Sequence, residues 1–190
     1  MLRPDSQRSR SDLERNLCKS DEVVSTRLSF VCPFADLAVL GALGGALAAQ
    51  VRPGDVVLLI GDLGAGKTTF TKFVAAALGV DHEVTSPTFT IAHGYDTAST
   101  NAPILMHLDA YRLGGVDDLE AVGLYEALDD GAVALIEWGD IVASGFDDTL
   151  TIQFDHVDES TRSVALSCDD HGTWVSRITT LALAIGAQTC

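Results

Sequence analysis

Apolar runs separated by turn-forming and charged segments recur along this chain, and their spacing predicts most of its elements. VVLLI, Val56 to Ile60, is an apolar, β-branched run entered through a turn at Pro53-Gly54-Asp55, as expected of a parallel strand buried on both faces. The segment TTFTKFVAAALG (68–79) places Phe70, Phe73, Val74, Ala77 and Leu78 at helical spacing, with Gly79 as its C-terminal cap. Upstream, RLSFVCPF (27–34) reads as an edge strand, and residues 36–49 as a helix weakened by Gly41, Gly44 and Gly45. Downstream, a turn at Ser86-Pro87 leads into a strand, TFTIAHGY (88–95), then a polar loop, 96–103, then a second strand that opens ILMHLDAYRL (104–113).

Short helical pieces follow over 114–128, with Asp117 as a helix cap and Leu119, Val122 and Leu124 as the buried face. VALIEWGD (133–140) is another buried strand, ending in acid. TLTIQF and SVALSC, joined by DHVDESTR, have the pattern of an antiparallel hairpin, and GTWVSRITTLALAI closes the chain as helix or coil. Strands alternating with helices, then a late hairpin, predict an α/β domain: a mixed, mostly parallel sheet flanked by helices. No internal repeat or second domain is visible. The expected divisions are a disordered tail at 1–27, one domain at 28–180, and a C-terminal extension at 181–190.

Composition refines this picture. At 190 residues and 47% hydrophobic content the chain suits one domain with a substantial core. The net charge is −15, which opposes the phosphate-neutralising term that dominates nucleic-acid affinity. Any nucleic acid in its biology is therefore expected to be held by a partner. Six of the 12 basic residues lie in the polar, Ser/Arg-rich tail, leaving six cations in an acidic body as candidates for phosphate work. Asp5, Asp12 and Glu14 argue against reading the tail as a transit peptide. LAVLGALGGALAA (37–49) has the look of a signal-peptide core, yet the strand and glycine-rich loop directly after it favour a small-residue helix packed on the domain. No segment has the length of a membrane span. Cys18, Cys32, Cys168 and Cys190 are far apart and form no metal-binding cluster with the histidines, the expectation for reduced thiols in a cytoplasmic protein.

The chemistry concentrates at GDLGAGKTT (61–69), a complete G-x-x-x-x-G-K-[ST] phosphate-binding loop set between a strand and a helix. Gly61, Gly64 and Gly66 provide the positive φ angles that wrap backbone N–H groups around a polyphosphate. Lys67 can reach phosphate oxygens, and the Thr68 hydroxyl suits a bridging Mg²⁺. Leu63, Gly64, Ala65, Gly66, Lys67, Thr68 and Thr69 are thus expected to bind nucleotide. Asp109 and Glu137 each end an apolar strand, where an α/β sheet places groups that serve a ligand, which favours a functional role over helix-start or solvent carboxylates. In SPTFT (86–90), Thr88 is the residue to aim at the metal, although a turn before a strand needs no function.

Together GDLGAGKTTF, SPTFT, HLDAYRL and IEW, in this order and spacing, resemble the TsaE family, also called YjeE, over roughly residues 28–165. The resemblance implies a small P-loop protein that binds ATP and Mg²⁺, hydrolyses ATP slowly alone and faster with partners, and serves threonylcarbamoyladenosine modification of tRNA. It implies as partners the TsaB–TsaD heterodimer, which ATP turnover resets between cycles, with tRNA engaged only through that complex. By the same resemblance Lys67 contacts phosphates, Thr68 and Glu137 hold Mg²⁺, and Asp109 is the second acid; Asp109 or Glu137 orients the attacking water. Trp138 walls the nucleotide or partner surface, or is a strand-end core aromatic. Arg162, expected in the hairpin turn, stacks on adenine or meets a phosphate. Tyr111 and Arg112 are candidate switch or docking residues, and His107 reads as a packed strand histidine. Two other readings share the loop, a small-molecule kinase and a nucleotide-dependent adaptor; the scarcity of Lys and Arg after residue 80 opposes a kinase lid.

Overall fold

The computed structural model describes residues 27–87, 90–98 and 103–189. The chain opens with β1 (Arg27–Ala35), α1 (Leu37–Ala48), β2 (Val56–Ile60) and α2 (Lys67–Ala77). Next come β3 (Ala92–Tyr95), β4 (Leu105–Asp109), the short helices α3 (Asp118–Ala121) and α4 (Leu124–Asp129), and β5 (Val133–Glu137). A hairpin of β6 (Thr149–His156) and β7 (Arg162–Asp169), the helix α5 (Val175–Ala184) and the two-residue β8 (Gln188–Thr189) complete it.

Among the described residues the eight strands form one sheet in the order β3-β4-β5-β2-β6-β7-β1-β8. The four central strands, β4, β5, β2 and β6, are mutually parallel, and the flanking pairs are antiparallel. Alternation along β2 decides the layers. Val57 and Leu59 enter a core shared with α1, α2 and α5, while Val56 and Leu58 enter a second core with α3 and α4. A strand apolar at every position is therefore needed here.

Local chemistry sets the element ends. Asp36 caps α1, its carboxylate accepting from Val39 N at 2.9 Å. Of the glycines expected to weaken α1, Gly44 has a packing reason: a Cβ there would stand 2.7 Å from Phe73 Cβ of α2. Bare backbone lets the two helices approach. Gly79, at φ 78, ends α2 as expected. The expected strand 88–95 is shorter, because Pro87 O accepts from Thr90 N and Ile91 N, closing a turn. Ile91 is then left at φ 67, and pairing starts only at Ala92. Asp117 does not cap with its side chain; Asp118 accepts from Gly114 N at 2.6 Å instead.

β1 starts at Arg27, pairing with Asp169 through backbone and side chain, and β8 covers part of its outer edge. α5 crosses position 181, because Leu181 and Ala182 are core residues. Below it lies a buried ion pair. Arg177 donates to both carboxylate oxygens of Asp55, at 2.5 and 3.0 Å, to Gln50 O, and to Thr173, and its guanidinium lies 3.7 Å from the centre of the Trp174 ring. This ties α5 to the entrance of β2. Cys32 and Cys168 are buried free thiols, and burial with nearby Asp148 and Asp169 pushes Cys168 up to about 11.

Asp55→Ala strands the buried Arg177 guanidinium, so urea unfolding is expected to show a loss of about 3 kcal/mol. A midpoint shift near zero would mean that this pair does not hold α5.

Candidate nucleotide-binding site

The loop after β2 takes the shape its glycines allow. Gly61, Gly64 and Gly66 sit at φ 145, 76 and 111, and Gly66 leads into α2. Their placement is forced by neighbours as well as by turns: a Cβ on Gly61 would lie 2.4 Å from Phe154 O in β6. Phe154 is itself locked, its buried ring 5.6 Å from that of Phe70 in α2. The hairpin therefore braces the loop.

Parallel pairing brings the acids to the same place. Leu59 of β2 and Asp109 of β4 both stand opposite Glu137 of β5, so three adjacent strands end together beside the loop. His107, Asp109, Leu135 and Glu137 share the sheet face that meets α2, since alternate residues point the same way. A cavity of about 180 Å³ results, lined by Leu63, Gly64, Gly66, Lys67, Thr68, Thr69, Ser86, Asp109, Glu137 and Trp138. Thr68 donates from Oγ1 to Glu137 Oε1 at 2.6 Å, and His107 Nε2 contacts that same oxygen at 2.8 Å. Asp109 accepts from Tyr111 N.

These donors fit Mg²⁺. A hydroxyl and a carboxylate in contact, with a second buried carboxylate on the adjoining strand, are hard oxygen ligands, and Mg²⁺ takes one or two such groups plus phosphates. Among the described residues no three or more His, Cys, Asp or Glu side chains cluster to hold a metal, so a cation here would take further oxygens from water or a bound ligand.

Lys67 is 4% exposed, and its ammonium donates to Gly61 O at 2.5 Å and Asp62 O at 2.9 Å. It also lies 4.0 Å from the centre of the Trp138 ring. Burial pulls its pKa down from the ordinary lysine value, and Glu137, Asp109, Asp62 and Asp140 oppose the fall. Trp138 is held at φ 57, an uncommon backbone state for a bulky residue, and its ring meets Tyr111 at 5.1 Å. It lines the cavity and also packs against the second core.

Arg162 begins β7 just past the turn, and its guanidinium reaches the outside of the loop. Nε donates to Ala65 O at 3.0 Å, Nη2 to Gly64 O at 3.3 Å, and Nη1 to Asp158 O and Thr161 O. It lines an adjoining cavity of about 360 Å³ with Ala35, Leu37, Leu40, Glu159 and Ser160, which shares Gly64, Gly66 and Thr69 with the first. Ala65 is buried behind the loop. Thr88 lies outside the described residues.

Ser86, the first residue of the SPTFT segment, lines the cavity, and His107, which reads as core, contacts Glu137. The signal for His107 was its position two residues before Asp109, hence on the same face; the pairing of β4 with β5 was needed to use it.

Residues 34–164 match the family described as threonylcarbamoyl adenosine biosynthesis protein TsaE. Curated relatives of the same name include one from Streptomyces coelicolor, 48% identical over 52% of this chain and 66% of its own length. The relative from Treponema pallidum is 38% identical over 70% of this chain and 93% of its own length. The crystal structure of YdiB from Bacillus subtilis superposes with a TM-score of 0.61 at 26% identity, covering 86% of this chain and 97% of the other.

Gly61→Ala sets a methyl against Phe154 O at a positive φ, so the loop must move. Loss of nucleotide affinity is expected in a titration, with destabilisation of about 1–3 kcal/mol on unfolding. Unchanged affinity would show that this loop shape is dispensable.

Proposed function

This chain belongs to the TsaE family, and on that footing we propose that it binds and hydrolyses Mg²⁺-ATP in threonylcarbamoyladenosine modification of tRNA. In this reading it resets the TsaB–TsaD heterodimer between cycles and meets tRNA only through that complex. The observation that carries the reading is the 2.6 Å contact between Thr68 of the phosphate loop and Glu137 at a strand end, with Lys67 and Asp109 lining the same cavity. The net charge of −15 supports a role for partners in holding the tRNA.

The residues divide the work. Lys67 exchanges the carbonyls of Gly61 and Asp62 for phosphate oxygens, and Trp138 shields its ammonium from water on one side. Amides of Leu63 to Thr69 face the phosphates, helped by the positive end of α2. Thr68 and Glu137 would hold Mg²⁺, which when bound neutralises charge on the phosphates. Asp109, or Glu137, orients the attacking water. Arg162 anchors the loop backbone and edges the adjoining cavity, where Leu37 and Leu40 offer an apolar surface for the base. Tyr111, 65% exposed beside Trp138, and Leu63, 87% exposed, offer the partner an apolar rim.

Calorimetric titration and a steady-state ATPase assay, each with and without TsaB–TsaD, test this reading. Lys67→Ala is expected to abolish turnover. Near-wild-type hydrolysis by that variant would remove the loop from the chemistry. Glu137→Ala should lower the Mg²⁺-dependent rate about 100-fold or more, in the range of losing one charge-stabilising group, an effect larger than the loss of stability seen on thermal unfolding. A rate unchanged across a Mg²⁺ titration would take Glu137 out of the site. Turnover that appears only with a small-molecule acceptor would point to a kinase instead.

A further inference from the structure

Buried polar atoms of strand histidines normally find partners, and His107 finds one on only one side. The residue is fully buried in β4, its Nε2 lies 2.8 Å from Glu137 Oε1, and its Nδ1 has no hydrogen-bond partner among the described residues. That asymmetry assigns the proton. A proton on Nδ1 would leave an N–H unpaired in the core and set the Nε2 lone pair against a carboxylate oxygen; a proton on Nε2 donates to that oxygen and leaves only a lone pair vacant. Nε2–H is the cheaper arrangement.

Glu137 Oε1 thus accepts from two sides, from Thr68 on the phosphate loop and from His107 on the neighbouring strand. The two donors differ in anchorage. Thr68 stands on the phosphate loop, and its hydroxyl would also have to serve a cation through an oxygen lone pair. His107 stands within the sheet: its backbone pairs with Leu135 on β5 and with His93 on β3, so this donor to Oε1 rises from a fixed strand position.

We propose that His107 is a positioning residue that holds the Glu137 carboxylate in its cation-binding orientation by donating from Nε2. This rests on the proposed function above, and specifically on Glu137 as a cation ligand. A histidine that is wholly buried, aimed at one carboxylate oxygen and without another partner among the described residues is suited to orient that carboxylate. A leucine would pack as well in the core. It would not hold Glu137.

The test compares the full-length chain with His107→Leu, which keeps the bulk and loses the donor, and His107→Gln, whose amide nitrogen reaches toward the position of Nε2. A non-hydrolysable ATP analogue is titrated by calorimetry in excess Mg²⁺ and again in EDTA, and the ratio of affinities is the readout. His107→Leu is expected to bind the analogue in EDTA as the wild type does but to lose about tenfold of the gain that Mg²⁺ confers, the usual cost of removing a partner that orients a metal ligand. His107→Gln should recover most of it. A wild-type Mg²⁺ gain that His107→Leu retains in full, or that His107→Gln fails to recover, overturns the inference and leaves the proposed function standing. A wild type with no Mg²⁺ gain takes both down. Independently of any variant's folding, the imidazole ¹⁵N spectrum of the wild type should show His107 as the Nε2–H tautomer, and an Nδ1–H signature would overturn the proposal.

Discussion

The structure depends on holding the backbone of one short loop against its own preferences. Carbonyl oxygens at Gly61, Asp62, Gly64 and Ala65 are all engaged by two cations, Lys67 from within the cavity and Arg162 from the far side. Peptide planarity makes this consequential. With Ala65 C=O drawn outward to Arg162, the Gly66 N–H on the same peptide is turned the opposite way, toward the phosphate side. A guanidinium 97 residues along the chain from Ala65 thus helps to aim an amide at a ligand. The hairpin that delivers Arg162 also supplies Phe154, whose carbonyl leaves no room for a side chain at Gly61.

Charge is used sparingly in this acidic chain, and its few body cations are spent mostly on its own oxygens. Arg177 neutralises Asp55 under α5, Arg162 takes loop and turn carbonyls, and Lys67 takes two more beside the acids. Only Lys67 of these lines the phosphate cavity. The same logic governs the acids. Asp109 and Glu137 are 4% exposed each, so their ionised forms need partners, and Tyr111 N, Thr68 and His107 are the donors that face them.

Family membership and the P-loop architecture agree with what four separated motifs implied. The phosphate loop was readable because its chemistry is local: glycine is required at positive φ, and lysine and threonine follow at a fixed spacing on one helix turn. The strand-end acids were readable because an apolar run that stops in a carboxylate marks both a strand and its end. His107 was not readable as a site residue, because its partner lies 30 residues away on another strand. Nor was the true role of Gly44, which looks like a helix defect until Phe73 is seen against it. Of the strand expected at 88–95, Ala92–Tyr95 pairs as expected, while at Thr90 and Ile91 one proline carbonyl collecting two amides overrides β propensity.

By itself, then, the chain's order of residues determined most of the elements, the glycine-rich loop between β2 and α2, and the carboxylates that end β4 and β5, since each of these is a short-range property of spacing and residue type. Tertiary structure alone decided that Glu137 should meet Thr68, that His107 should stand behind it, that Arg162 should grasp the loop from outside, and that the last helix should belong to the core. Those pairings arise from strand order and register. Contacts between segments far apart in sequence exist only once the sheet has brought them within hydrogen-bonding range, and no periodicity along a single strand encodes which neighbour it will have.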